Sequence, residues 1–284
     1  MILVMTVLGT VSPIWTVGTA HAALAEAAMD QYCLPLQEPN PLVEWEIGPE
    51  IYHFQYEEPS VDVEEDGVMF GLTGSFTHHN PSRLMFTAEG RGAWGEVDYT
   101  GTGMIDGIPD WTLEGRLAAG YDIHLDEFKR FTPFFGIGYR YLNDDSSGMT
   151  STTGAVGYER ESNYLYSPIG LMFDARLSGG WRIGMKVEYD LFWSGKQITH
   201  LEDVDPSLNT VTNKQRRGFG LRGSLTFQKK VGEKIDVAIK PFIRWWRIKN
   251  SEFAVVTFAG TPIGLGLEPK NETIEAGGQI SILF

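Results

Sequence analysis

The chain has 284 residues, 33 of them glycine and 12% aromatic, and 37 acids against 23 Lys and Arg give it a net charge of −14. That length suffices for one sizeable domain, and the acidic balance excludes nucleic acid as a partner, because phosphate neutralisation needs basic patches. With Cys33 as the single cysteine, an internal disulfide is excluded as well.

In chain order, Met1 to Ala20 is apolar and uncharged, and Ala20-His21-Ala22 offers a small-residue cleavage site before Ala23, with Ala23-Leu24-Ala25 as a second candidate. Residues 1–22 therefore read as a secretory signal peptide. The usual positive start is missing, which leaves open a start upstream of Met1. An N-terminal membrane helix is the competing reading, and Pro13 and the small-residue exit count against it. Residues 23–42, with Pro35, Pro39 and Pro41, read as a periplasmic leader. Cys33 follows Asp30-Gln31-Tyr32, which is no lipoprotein box, and reads as a thiol in a flexible leader or as a link to another chain. No later apolar run is long enough for a transmembrane helix, so any crossing of a membrane falls to strands.

From residue 43 to 284 the pattern is period two. Strand-like segments are expected at 43–56, 67–78, 83–98, 110–125, 131–142, 162–177, 181–195, 215–229, 234–250 and 271–284. In the seventh, Trp181, Ile183, Met185, Val187, Tyr189, Leu191 and Trp193 share one parity against Arg182, Gly184, Lys186, Glu188 and Asp190. The fourth sets Trp111, Leu113, Leu117 and Tyr121 against Glu114 and Arg116 in the same way. Each span reaches the ~9–11 residues that a tilted strand needs to cross a bilayer, and several carry Trp or Tyr near an end, where aromatic girdles sit. The first segment holds Pro49, which suits an irregular spot or bulge. Connections after even-numbered segments are short (79–82, 126–130, 178–180, 230–233), and those after odd-numbered ones are mostly long (57–66, 99–109, 143–161, 196–214, 251–270). Short turns on one rim and long loops on the other mark a transmembrane barrel. The expected fold is all-β, a closed antiparallel transmembrane β-barrel of about ten strands, with both termini periplasmic.

Charges of both signs fall on the parity that faces the lumen. The expected network is Glu89, Arg91, Glu114, Arg116, Arg140, Asp174, Arg176, Arg182, Lys186, Glu188, Asp190, Arg222, Lys240, Arg244 and Glu275, with Glu46 and Glu50 meeting inward arginines where the first and last strands close. Charges buried together must pair, since an unpaired one is very costly. Small barrels are filled by side chains, and wide channels need about sixteen strands. A plugged lumen is therefore expected, with a narrow channel whose charges act as a filter as the alternative. The acidic stretch 57–66 suits divalent cations but lacks the spacing of a calcium loop, so it reads as a solvated loop. The apolar stretch Phe253 to Leu267 reads as a hairpin turning near Ala259 to Pro262, either exposed to a partner or packed over the barrel mouth.

The last strand runs to the final residue, with Ile274, Ala276, Gly278, Ile280, Ile282 and Phe284 on one parity. An apolar face ending on the carboxyl-terminal residue suits lipid, not water. Ile280, Ile282 and Phe284 also resemble the C-terminal assembly signal of bacterial outer-membrane proteins. That resemblance implies the outer membrane of a Gram-negative bacterium, with outer-membrane lipid and the barrel-assembly machinery as partners; the long outer loops add a surface ligand as a further candidate partner.

A ten-stranded barrel with long outer loops also resembles the omptin proteases in layout. That family uses an Asp-x-Asp pair and an Asp-x-His pair; the nearest features here, Asp106 with Asp110 and His200 with Asp203 and Asp205, have the wrong spacing, so no catalytic residue is carried over. The outer-membrane lipases and lipid A deacylases rely on His with a nearby Ser, a neighbourhood that none of His53, His78, His79, His124 and His200 shows. His78 and His79 point to opposite faces, a poor metal pair. No phosphate loop or nucleophile elbow is present. The sequence thus assigns no cofactor, metal or catalytic residue. It favours a surface structural or interaction protein over a narrow channel, and a channel over a rim hydrolase assembled from Asp110, His200 and Asp203.

Overall fold

The computed structural model describes residues 43–284; the expected signal peptide, the leader and Cys33 lie outside the described residues. The strands are β1 (Val43–Glu58), β2 (Val63–His79), β3 (Leu84–Gly101), β4 (Gly103–Tyr121), β5 (Ile123–His124), β6 (Lys129–Asp145), β7 (Glu159–Leu177), β8 (Trp181–Thr199), β9 (Val211–Gln215), β10 (Gly218–Lys230), β11 (Asp236–Ile248), β12 (Ala254–Phe258), β13 (Thr261–Gly266) and β14 (Asn271–Leu283). Each long strand pairs antiparallel with its neighbours, and β14 pairs with β1, so the sheet closes into a ten-stranded barrel. The short β9 continues the wall above β10 by pairing with the end of β8, β5 extends the pairing of β6, and β12–β13 form a separate hairpin.

The period-two pattern sorts side chains onto two faces. On β8, Trp181 through Trp193 stand exposed on the outside, while Glu188, Asp190 and Phe192 are buried within. Twelve residue steps of ~3.3 Å span about 40 Å along the strand, which at a tilt of 35–45° is the ~30 Å of a bilayer core. At the seam, the last residue is held by main chain alone: Trp45 N donates to Phe284 O at 2.9 Å, and Phe284 N donates to Trp45 O at 3.0 Å. The two strands approach so closely that a Cβ at Gly48 would stand 2.0 Å from the Ile280 carbonyl oxygen, and one at Gly277 2.1 Å from that of Ile51. Only glycine fits there.

Several boundaries depart from the sequence expectation; β6 spans Lys129–Asp145 where 131–142 is expected, and β8 runs on to Thr199 beyond 195. The stretches 57–66 and 99–109 are mostly strand: β1 and β2 pair up to Glu58 and Val63, and β3 and β4 up to Gly101 and Gly103. The apolar alternation ends where the outward face turns polar, but beyond the lipid that face meets water while the inward face stays packed, so the strands continue. For the same reason β7 begins at Glu159, not 162. Pro49 produces no bulge, since the β1–β14 register is the same at Ile47↔Ile282 and Glu50↔Gln279. Turns on one rim are short, such as Asn80–Arg83 and Ser178–Gly180. The other rim, at the far ends of the strands, carries the longer excursions.

Candidate functional site

Inside the wall, side chains stack in layers from the short-turn rim to the long-loop rim. The first is a polar cavity of about 260 Å³ lined by Glu44, Glu46, Glu89, Lys186, Arg182 and Lys240, among others. Lys186 Nζ donates to Glu89 at 2.8 Å, Arg182 to Glu44 at 3.2 Å, and Lys240 to Glu46. Glu46 thus meets a lysine, not an arginine. Asp174 pairs with Arg130 at 3.2 Å, and Arg176 enters no ion pair among the described residues.

The second layer is a floor of five arginines and five carboxylates from eight of the ten walls. Arg91 reaches Glu114 at 2.7 Å, Glu275 at 3.0 Å and Glu50 at 3.3 Å. Glu275, fully buried, also accepts from Arg140 at 2.5 Å and Arg244 at 2.9 Å, and Arg244 reaches Glu50 at 2.8 Å. Arg116 grips Glu188 with both terminal nitrogens, at 2.6 and 3.0 Å, and Glu89 at 2.8 Å. Arg222 joins Asp190 at 2.5 Å to Glu114 at 2.9 Å. A paired guanidinium and carboxylate tolerate this burial because each keeps charge-assisted hydrogen bonds in place of water.

Above the floor lies an apolar layer. Tyr52, Phe54, Met69, Val97 and Ile108 form one cluster, and Tyr164, Tyr166, Phe192, Trp246 and Ile248 another. The two layers are bonded together. Tyr166 Oη donates to Glu114 at 2.5 Å, the Arg140 and Arg222 guanidinia stand 5.4 Å over the Trp246 ring, and that of Arg244 stands 3.9 Å over Phe242, which places cations on π faces.

The long-loop mouth holds a cluster that the sequence reading missed. Arg160 lies 3.0 Å from Glu58 and 3.1 Å from Asp144 and also pairs with Glu65. Tyr56 Oη donates to Glu58 at 2.8 Å and lies 3.1 Å from a Glu268 carboxyl oxygen. Burial pushes the Glu268 carboxyl up to about 7; Arg160 opposes that rise and Glu58 adds to it. The available signal was parity: Arg160, Ser162, Tyr164 and Tyr166 alternate inward without interruption once β7 is allowed to start at Glu159. Asp110 is buried inside the barrel, opposite Asp144 on β6.

His200 lies elsewhere, on the outer face of the rim. Its Nε2 is 2.9 Å from Glu161 and its Nδ1 3.0 Å from Glu202. Partial burial lowers its basicity, but the bonds to Glu161 and Glu202 outweigh this and raise its pKa. Asp203 accepts from the Glu159 backbone amide at 3.0 Å. Its ring contacts are thus to Glu161 and Glu202, and the Asp110–His200–Asp203 arrangement is not assembled. The apolar loop forms the hairpin β12–β13, turning at Ala259 and Gly260, both at positive φ. It leans on the preceding loop, with Ala259 N donating to Ser207 O at 2.7 Å and Thr257 N to Asn209 Oδ1 at 2.6 Å. Val255, Phe258, Ile263 and Leu265 stay exposed.

A closed barrel, apolar where it meets lipid and charge-paired within, defines an outer-membrane β-barrel. Residues 53–233 match the family described as the autotransporter beta-domain, and the chain belongs to that family. Among solved structures it is similar to the outer membrane protease OmpT of Escherichia coli, at 12% identity and a TM-score of 0.61, covering 85% of this chain and 96% of that one. It is also similar to the translocator domain of the autotransporter NalP of Neisseria meningitidis, at 13% identity and a TM-score of 0.45, covering 94% and 96%. At 12% identity the likeness to OmpT is one of fold. No curated protein sequence matches the chain.

Proposed function

We propose that this barrel is a surface-exposed structural and interaction protein, with its long-loop rim facing outward, both termini in the periplasm, and a lumen closed to solutes. The observation that carries this reading is the floor of five arginines and five carboxylates, roofed by aromatic side chains bonded to it. A conducting pore needs a wet path, and here the groups that would line one are spent on each other. What remains for recognition is the rim, where the β12–β13 hairpin holds four large apolar side chains in contact with water. No catalytic role is assigned: Asp110 is directed inward and His200 outward, on opposite sides of the wall.

Conductance tests this reading. The refolded chain, shown to be folded by heat-modifiable gel mobility, is expected to leave a planar bilayer silent. Reproducible unitary steps that change in the Arg91→Ala/Arg116→Ala double variant would overturn the closed lumen and make its charges the site of a channel.

A further inference from the structure

The outer face of the rim gathers a donor set that loop display does not require. Glu159 and Glu161, two residues apart on β7, point to the same face. His200 is brought beside them because Arg160 pairs with Thr199 and the His200 amide donates to the Glu159 carbonyl at 3.0 Å. One ligand atom from each of Glu159, Glu161 and His200 lies within 4.8 Å of the other two. We propose that these three residues bind one divalent transition-metal ion, with zinc the best match.

Each donor is aimed by a residue outside the triad. Glu202 lies 3.0 Å from His200 Nδ1 and is itself held by the Thr210 hydroxyl, which leaves Nε2 directed at Glu161. A carboxylate behind an imidazole is the arrangement that fixes the tautomer and ring plane of a metal-bound histidine. Tyr141 Oη donates to the second Glu161 oxygen at 2.9 Å, and Asn143 Nδ2 to Glu159 at 2.6 Å. Two neighbouring positions of β6 thus orient both carboxylates, although nothing in the barrel's closure calls for polar side chains there.

The chemistry of the donors selects the ion. Calcium takes six to eight oxygens and magnesium an octahedron of them, whereas one imidazole and two carboxylates, with a water completing the shell, suit tetrahedral zinc. Zinc would replace the proton between Nε2 and Glu161 Oε1, now 2.9 Å apart. Donors each ~2.0–2.1 Å from a tetrahedral ion sit about 3.3 Å apart, so this pair has to part by only a few tenths of an ångström, while the Glu159 donor, within 4.8 Å of both, supplies the third ligand. Two carboxylates and a neutral imidazole cancel the charge of the ion. The site stands independently of the closed-lumen reading, because a conducting barrel would keep it.

The experiment is a zinc titration of the refolded full chain in detergent by calorimetry, with Co²⁺ as a visible probe of coordination. The expected result is one zinc per chain and the absorption bands of tetrahedral cobalt. His200→Ala is expected to abolish both, and Glu202→Gln to weaken zinc about tenfold by releasing the ring. His53→Ala, at another rim histidine whose Nε2 is 3.5 Å from Asp66, is expected to bind as the parent does. Heat-modifiable mobility of each variant separates lost binding from lost folding. Absence of saturable one-to-one binding by the folded parent, or parent-like affinity in folded His200→Ala, would overturn the proposal.

Discussion

Midway along the barrel, five arginines meet five carboxylates; at the long-loop mouth a single Arg160 meets Glu58, Glu65 and Asp144, with Glu268 one tyrosine hydroxyl away. Both clusters are buried and both use the same residue types. The floor is balanced, so its charges cancel, and Arg91, Arg116, Arg222 and Arg244 are each held by two or more carboxylates, whereas Arg140 meets Glu275 alone. The mouth has more acid than base, and burying excess negative charge is costly unless protons are taken up. Burial raises the Glu268 carboxyl and the neighbouring Glu58 adds to the rise, so Glu268 holds its proton up to about pH 7. What separates the two is that the mouth's carboxylates outnumber its one guanidinium.

Removing one floor carboxylate has the largest expected effect. Glu275→Ala strips Arg91, Arg140 and Arg244 of a shared partner at once, and a buried pair broken from one side costs about 3–5 kcal/mol. Urea unfolding in lipid vesicles is expected to show a loss of that size, similar at pH 5 and pH 8. A loss that vanished at either pH would mean that the floor titrates as the mouth does.

Arg160→Met tests the other side. It leaves three mouth carboxylates without their guanidinium, and a cost of about 1–3 kcal/mol is expected at pH 8. The cost is expected to shrink at pH 5, where protons substitute for the missing cation. Equal destabilisation at both pH values would show that the mouth depends on packing against Arg160 and not on its charge.

The smallest effect belongs to Glu268 alone. Its pKa is raised in the folded state, to about 7, against ~4.3 in the unfolded chain. Between those values the folded state binds the extra proton, so its stability falls as pH rises from about 4.3 to 7 and levels off above. Thermal unfolding of the parent is expected to follow that slope, and Glu268→Gln to flatten it, with a gain of a few degrees at pH 8. An unchanged slope in the variant would assign the pH response to other mouth acids.

Much of this fold was legible because a bilayer enforces alternation. Lipid outside and a filled interior leave each strand residue two fates, and parity alone placed Arg91, Glu114, Arg116 and Glu275 on one face and Trp181 through Trp193 on the other. Strand ends were less legible. Glu57, Glu64 and Asp106 look like loop residues by composition, yet outside the lipid a polar outward face is no reason for a strand to stop. The mouth cluster was lost with those ends, since Glu58, Glu65 and Arg160 lie beyond the expected strand limits.

By itself the sequence determined that the chain forms an antiparallel barrel whose 271–284 stretch is a strand with one apolar face, and which side chains face lipid. Only the tertiary structure decided which charges meet. Glu275 takes Arg140 from 135 positions earlier, Glu50 takes Arg244 from 194 positions later, and Glu159 and Glu161 meet His200 across a strand pair. Parity carries no information about height in the barrel. The tilt and stagger of ten closed strands fix that height, and they are set by the whole ring of backbone hydrogen bonds at once, so no single strand encodes them.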